Sequence, residues 1–368
     1  MTPSTTDYIA AKPFSDFNYV IEAWRGLAAI MVMVCHYRVF WVSGPSYFDL
    51  TATGVDLFFV LSGYVFAPTI LNGVGSYWAF MIRRLFRMYP LYLIALVVYA
   101  VLRSQSGEMT WTPLWAHILM LQTSISSTIA FFYNPAFWSL PAEWEFYCLM
   151  PVLVWCAKSR GLLFCLIMAI IARIGFGFWV VPPSVESPLF NWASWSVVNL
   201  PGILSEFLIG TSVYVLAHLK PQLQSMRKWV TVFVCIALFA LFWFYPHVWV
   251  SGQNPAWGNL VGLCAALIYG LLLWLSLTAS SRGPAWIVWI SLRMGALSYG
   301  IYLFHNAAPE VIQYFQWSLT SLQTTLVCLA MTLITAAVLH RLVEAPCRAY
   351  GRYLSAKIKL AQTQSRSM

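Results

Sequence analysis

Residues 20–42 read VIEAWRGLAAIMVMVCHYRVFWV. Wound as a helix at 1.5 Å per residue, this run is about 34 Å long, enough to cross the roughly 30 Å hydrocarbon core of a bilayer. The preceding residues 1–19 carry Asp7, Lys12 and Asp16 and lack the short apolar core and small-residue cleavage site of a secretory signal, so the first span stays in the protein. Similar apolar runs follow at 52–71, 88–103, 138–157, 162–181, 196–217, 229–246, 258–279, 287–307 and 321–343. Ten such runs predict an all-α polytopic membrane protein. A β-barrel is excluded, because barrel strands alternate and show only short, weak apolar segments. The stretch 113–124, with His117 and Gln122, is too short to cross unaided and reads as re-entrant or interfacial.

The whole chain agrees with this reading. Of 368 residues, 60% are apolar and only 9% charged, whereas a water-soluble globule carries about a quarter charged residues. A soluble enzyme and a disordered chain are excluded. The net charge of +9 does not indicate nucleic acid either, since the 21 Lys and Arg are scattered in ones and twos between apolar runs. The eight cysteines form no CxxC and no Cys/His set with zinc spacing, so neither a disulfide framework nor a metal site is expected, and they read as small buried hydrophobes.

Basic residues give the direction of the spans. Arg83, Arg84 and Arg87 follow span two, Lys158 and Arg160 span four, Lys220, Arg227 and Lys228 span six, Arg282 span eight, and Arg341, Arg348, Arg352, Lys357 and Lys359 span ten. The alternate loops hold Asp49, Glu108, Glu186 and Glu310, with Arg103 at a span boundary. The positive-inside bias then predicts ten crossings with both termini in the cytoplasm. Without an internal repeat or a linker, the chain divides into a cytoplasmic N-terminal segment 1–19, one membrane domain 20–348 and a cytoplasmic tail 349–368, whose polar end from Ala361 reads as frayed.

Ionisable groups at span depth are costly and mark function. Arg25 and His36 are eleven residues apart, three helical turns with about 20° left over, so they share one face with Arg25 about 16 Å nearer the cytoplasm. Asp56 enters span two at a depth close to that of His36, where a carboxylate orients an imidazole and favours its protonated form. The segment YWAFMIRRLFRMYP (77–90) sets Arg84 and Arg87 one turn apart, suited to anionic lipid heads or to the phosphates of a cofactor. In WSLPAEWEFY (138–147), Glu143 and Glu145 diverge by about 160° and do not share one site. LSYGIYLFHNAAP (297–309) brings Tyr299, Tyr302 and His305 to the outer end of span nine. Arg173 and Glu206 are further intramembrane charges, open to pairing with each other. On residue types alone, a proton-coupled transporter or flippase using Arg25, His36 and Asp56 remains an alternative to an enzyme.

Several separated motifs together resemble one family. IEAWRGLAAIMVMVCHY (21–37), GVDLFFVLSGYVF (54–66), RRLFRMYPLY (83–92), FWSLPAEWEFY (137–147), LSYGIYLFH (297–305) and VEAPCR (343–348) resemble, in order, blocks of the acyltransferase family 3 integral membrane proteins. That family includes bacterial O-acetyltransferases of lipopolysaccharide O-antigen, exopolysaccharide and Nod factors. Glu22-Ala23 replaces the usual Asp-Gly, Pro141 stands where Ser is common, and residues 160–290 agree only in hydropathy.

The resemblance implies a multi-pass protein of the bacterial inner membrane that moves an acyl group from cytosolic acyl-CoA, chiefly acetyl-CoA, to a hydroxyl of a carbohydrate or glycolipid acceptor at the outer face. Membrane lipids are its other partners, and no metal is implied. Under this reading Arg25, Arg84 and Arg87 hold the nucleotide, His36 is the base or a transient acyl carrier, Asp56 orients it, and Glu143 positions acceptor or base. Ser139, Tyr302 and His305 contact substrate.

Overall fold

In the computed structural model the expected first span is helix α1 (Tyr19–Tyr37), extended by a 3-10 turn, Arg38–Phe40. The structure describes residues 19–44, 46–105, 111–159, 161–179, 198–219, 221–250, 255–279 and 283–367. The N-terminal segment before Tyr19 and the loop charges Glu108, Arg160, Glu186, Lys220 and Arg282 lie outside these residues. The order continues with α2 (Gly54–Asn72), α3 (Tyr77–Gln105), α4 (Trp111–Ile118), α5 (Ser139–Lys158), α6 (Leu162–Trp179), α7 (Leu200–Leu219) and α8 (Arg227–Val250). Then come α9 (Pro255–Leu277), α10 (Ala285–Phe304), α11 (Ala307–Tyr314), α12 (Ser321–Leu339), a π-helical turn His340–Glu344, and α13 (Ala345–Ser367). No strand occurs among the described residues.

Eight helices among the described residues are long and apolar enough to cross a membrane. The other two expected spans are also helical: α5 has 20 residues, with Glu143 and Glu145 lowering its hydropathy, and the apolar part of α6 runs Leu162–Gly175. α4, with only eight residues, spans about 12 Å and cannot cross. It ends where Met120 takes a positive φ of 57°. His117 on α4 is fully buried edge-on to the Tyr133 ring, and burial holds its imidazole neutral by lowering its pKa to about 3.

The bundle is apolar inside and out, as a bilayer requires. Phe58 packs against all three apolar clusters of the interior and so joins them. On α8 the exposed positions include Trp229, Val232, Phe233, Ile236, Phe239 and Trp243, a surface for hydrocarbon instead of water. The same logic corrects the cysteine reading. Cys156 and Cys328 are buried, but Cys148, Cys235 and Cys264 lie on the exposed surface, where lipid supplies the apolar contact. Arg38, which the charge reading of the loops passed over, is ion-paired with the buried Asp49 and therefore adds little to orientation.

Close helix contacts set the geometry of the bundle. α1 packs most extensively on α10, α7 on α2, and α13 on α3. At the α2–α7 crossing a Cβ on Gly63 would collide with the Phe207 backbone and one on Gly210 with the Val60 backbone, a mutual approach that only glycine permits. α13 does not fray from Ala361 but stays helical to Ser367, and Arg83 of α3 donates to Ser355 Oγ of α13.

Candidate active site

The register of α3 places Arg83, Arg84 and Arg87 within its first three or so turns, facing α1, α5 and α13. With Arg25 of α1 and Arg348 and Arg352 of α13, these arginines line one cavity of about 330 Å³. Only two carboxylates, Glu22 and Glu143, share its wall, and both are engaged. Glu22 pairs with Arg25 at 3.2 Å, and Glu143 accepts a short hydrogen bond from Tyr147. Arg84 lies over the rings of Phe66, Phe80 and Tyr147 at 5.0, 5.7 and 6.0 Å, and its buried Nε has no hydrogen-bond partner. Six guanidinium groups against two carboxylates give the cavity a net positive lining, chemistry suited to a multiply charged anion.

At its other end the cavity narrows between α2, α5 and α10, where Val55, Phe58, Ser139 and Tyr302 line it. Asn134 builds this end. Its amide donates to Leu303 O and Tyr99 OH at 3.0 Å each, and its oxygen accepts from Ala136 N at 2.9 Å and Asn306 at 2.8 Å, which docks the start of α5 on the end of α10. Tyr302 O–H donates to the Ala136 carbonyl at 2.6 Å. The Ser139 and Tyr302 hydroxyls are 2.6 Å apart, and Ser139 Oγ also reaches the Ala136 carbonyl, at 3.4 Å. The protons of both hydroxyls are thus committed within the protein.

Beyond Tyr302 stand two histidines. The His36 and His305 rings are 4.9 Å apart at 50°, and the Tyr302 ring is 6.2 Å from that of His305. His305 is fully buried. Its Nδ1 lies 2.9 Å from Tyr302 O and 3.2 Å from Ile301 O, so Nδ1 carries the hydrogen and Nε2 the lone pair. That Nε2 has no hydrogen-bond partner among the described residues. Tyr37 of α1 donates to the His305 carbonyl at 2.8 Å, tying the two helices together at this point.

The structure therefore brings Arg25, Arg84, Arg87, Glu143, Ser139 and Tyr302 to one cavity and sets His36 beside His305. Asp56 is elsewhere. It lies 3.7 Å from Arg173, which is ion-paired with Glu206 and donates to Gly202 O at 2.9 Å. The reason is helical register: Asp56 and Gly63 are seven residues apart, two turns less about 20°, so Asp56 shares the α2 face that meets α7. Depth alone does not tell which face of α2 carries the carboxylate. The expected divergence of the two α5 carboxylates is visible, since Glu145 turns away from the cavity to accept from Leu200 N at 2.8 Å. The sequence reading missed Arg348 and Arg352 because basic residues after a last span also report topology; the VEAPCR block was the one signal that could have separated the two meanings.

Comparison with known proteins agrees with this arrangement. A family model described as an acyltransferase domain, acyltransferase family 3, matches residues 18–341. A Komagataeibacter xylinus protein named as membrane-bound transacylase BcsY is 25% identical over 342 residues, covering 88% of this chain and 81% of that one. Acyltransferase MdmB of Streptomyces mycarofaciens is 26% identical over 398 residues, covering 89% and 91%. A Staphylococcus aureus protein named as O-acetyltransferase SACOL0978 is 24% identical over 366 residues, covering 90% of this chain and 57% of that one. No solved structure matches. A family model spanning most of the chain, on a bundle of membrane-crossing helices, assigns the protein to acyltransferase family 3, the membrane acyltransferases.

Proposed function

We propose that this acyltransferase takes an acetyl group from cytosolic acetyl-CoA and delivers it to a hydroxyl of a cell-surface carbohydrate or glycolipid at the opposite face of the bacterial inner membrane, with both termini in the cytoplasm. The observation that carries the reading is the cavity in which six arginines outnumber two engaged carboxylates. A nucleotide with several phosphates matches that charge, and guanidinium forks suit its oxygens. The O-acetyltransferase name of the Staphylococcus relative supports acetyl as the group and oxygen as its destination.

From the arginines, an extended thioester arm leads along the cavity towards Ser139 and Tyr302, with His36 and His305 next in line. In the transfer the acceptor oxygen bonds to the thioester carbonyl carbon while His36 removes the hydroxyl proton, and the C–S bond then breaks to release a thiolate that takes up a proton as free thiol. His305, its Nδ1–H fixed on two carbonyls, offers Nε2 to orient the His36 ring, the task first expected of Asp56. The transporter alternative draws less support, because Asp56 has its ion-pair partner in Arg173 and not in Arg25 or His36.

The test supplies labelled acetyl-CoA at the cytoplasmic face of oriented vesicles and measures alkali-labile label on envelope glycans. Label with wild type and none with a folded His36→Ala protein is expected. Retained transfer in that variant would remove His36 from the chemistry. Arg84→Ala and Arg87→Ala weaken acetyl-CoA binding more than acceptor binding; unchanged acetyl-CoA affinity in both would return these arginines to lipid contact.

A further inference from the structure

One carboxylate stands behind the arginines without facing the cavity. Glu344 closes the π-helical turn His340–Glu344, which interrupts an otherwise continuous helix from Ser321 to Ser367. A π turn holds one residue more than an α turn, so it rotates all that follows by about 100°. With that rotation Arg348 and Arg352 line the cavity, Gly351 lies against Phe86 and Ser355 meets Arg83, an i, i+3, i+4, i+7 face turned onto α3. π turns of this kind occur mostly at functional sites.

Inside the turn the Glu344 side chain is 1% exposed. One oxygen is 2.9 Å from His340 Nδ1, and the other is 3.4 Å from Arg348. Arg87, across from it on α3, has Glu344 as its foremost charge partner, and Arg25 is also within its electrostatic reach. Arg87 and Arg348 repel one another. The two carboxylates on the cavity wall are engaged with Arg25 and Tyr147, and each acts on Arg87 less than Glu344 does.

We propose that Glu344 is a positioning residue for the donor site: set behind the cavity wall by the π turn, it holds Arg87 and Arg348 side by side, aimed at the anionic donor. The inference rests on the acyl-CoA reading only for the identity of that donor. By balancing two guanidinium groups from the rear, one carboxylate lets them converge while the wall itself stays positive. Outer groups that fix the geometry of a charged site are worth about ten- to a hundredfold in its affinity where they have been measured, at metal centres.

The experiment compares wild type, Glu344→Gln and Glu344→Asp in nanodiscs by two readouts: direct acetyl-CoA affinity with the KM and kcat of transfer, and phenylglyoxal modification of individual arginines mapped by mass spectrometry. In Glu344→Gln, acetyl-CoA binding is expected to weaken by about tenfold. The acceptor KM and kcat should stay within about twofold, and Arg87 and Arg348 should react faster with phenylglyoxal while Arg83 does not. Glu344→Asp should recover part of the affinity. Wild-type affinity and a wild-type modification map in Glu344→Gln would overturn the proposal, as would equal losses in the Gln and Asp variants. A wild type that binds no acetyl-CoA, yet whose modification map still responds to Glu344→Gln, refutes the donor and upholds the positioning role. If the Gln variant does not fold, the map of the Asp variant decides alone: faster reaction at Arg87 or Arg348 supports the role, and an unchanged map removes it.

Discussion

His36 on α1 and His305 at the end of α10 meet ring to ring at 4.9 Å, and the second holds its proton on the nitrogen that faces away into the backbone. The pair is thus asymmetric: one ring fixed in tautomer and fully buried, the other partly exposed. His305→Gln should retain acetyl-CoA binding while kcat falls by roughly 10²-fold or more, the range of a lost acid–base contribution. Steady-state kinetics with a saturating donor check this. A kcat within a few-fold of wild type would leave His36 to act without it.

Asp56, Arg173 and Glu206 form one ion cluster between α2, α6 and α7. Removing one member of a buried pair costs about 3–5 kcal/mol where nothing replaces it. Glu206→Gln, next to Arg173, is expected to lower the melting temperature in detergent more than Asp56→Asn, which leaves the closer pair intact. Both should retain the wild-type KM for acetyl-CoA. A raised KM with an unchanged melting temperature in Asp56→Asn would put this carboxylate back in the site.

Gly63→Ala and Gly210→Ala each drive a methyl group into the backbone of the facing helix, so both should reduce the folded yield or shift the protein towards aggregates on size exclusion. Gly175→Ala is the matched control, since a Cβ there meets nothing within 4 Å. Equal behaviour of all three variants would mean that α2 and α7 separate at little cost.

Glu310, on α11 outside the spans, is buried enough that its carboxyl is pushed up to about 7, with Arg103 at 3.4 Å opposing the shift. A folded-state pKa above the unfolded one means that the folded protein gains relative stability at low pH and loses it as pH rises towards and through 7. Glu310→Gln should flatten melting temperature against pH between about 5 and 8. An unchanged slope in the variant would assign the dependence to another group.

Much of this was legible within single helices. The shared face of Arg25 and His36, the divergence of Glu143 from Glu145, and the shortness of α4 all follow from the turn angle and rise of one helix, which need no partner. What sequence could not supply is how each helix is rotated against its neighbours. Depth alone made Asp56 a candidate partner for His36, but the rotation of α2 is set by Gly63 meeting α7, and that contact turns the carboxylate to Arg173. Arg348 and Arg352 lie beyond a π turn, whose extra residue shifts the helical face and leaves no mark in hydropathy. The possible pairing of Arg173 with Glu206 was visible only because two isolated charges in apolar surroundings need one another.

The hydrogen bonds of Ser139 and Tyr302 bear on a different risk, that of losing the activated acyl group to water. Under the acetyl-CoA reading, a thioester carbonyl drawn up to these hydroxyls would meet two protons already engaged between the pair and the Ala136 carbonyl, leaving neither free to polarise it. On that reading, thiol release from acetyl-CoA without acceptor should stay at the uncatalysed background. Rapid release would show that the carbonyl finds another donor there. Background-level release would mean that engaged hydroxyls leave the donor intact in the absence of acceptor.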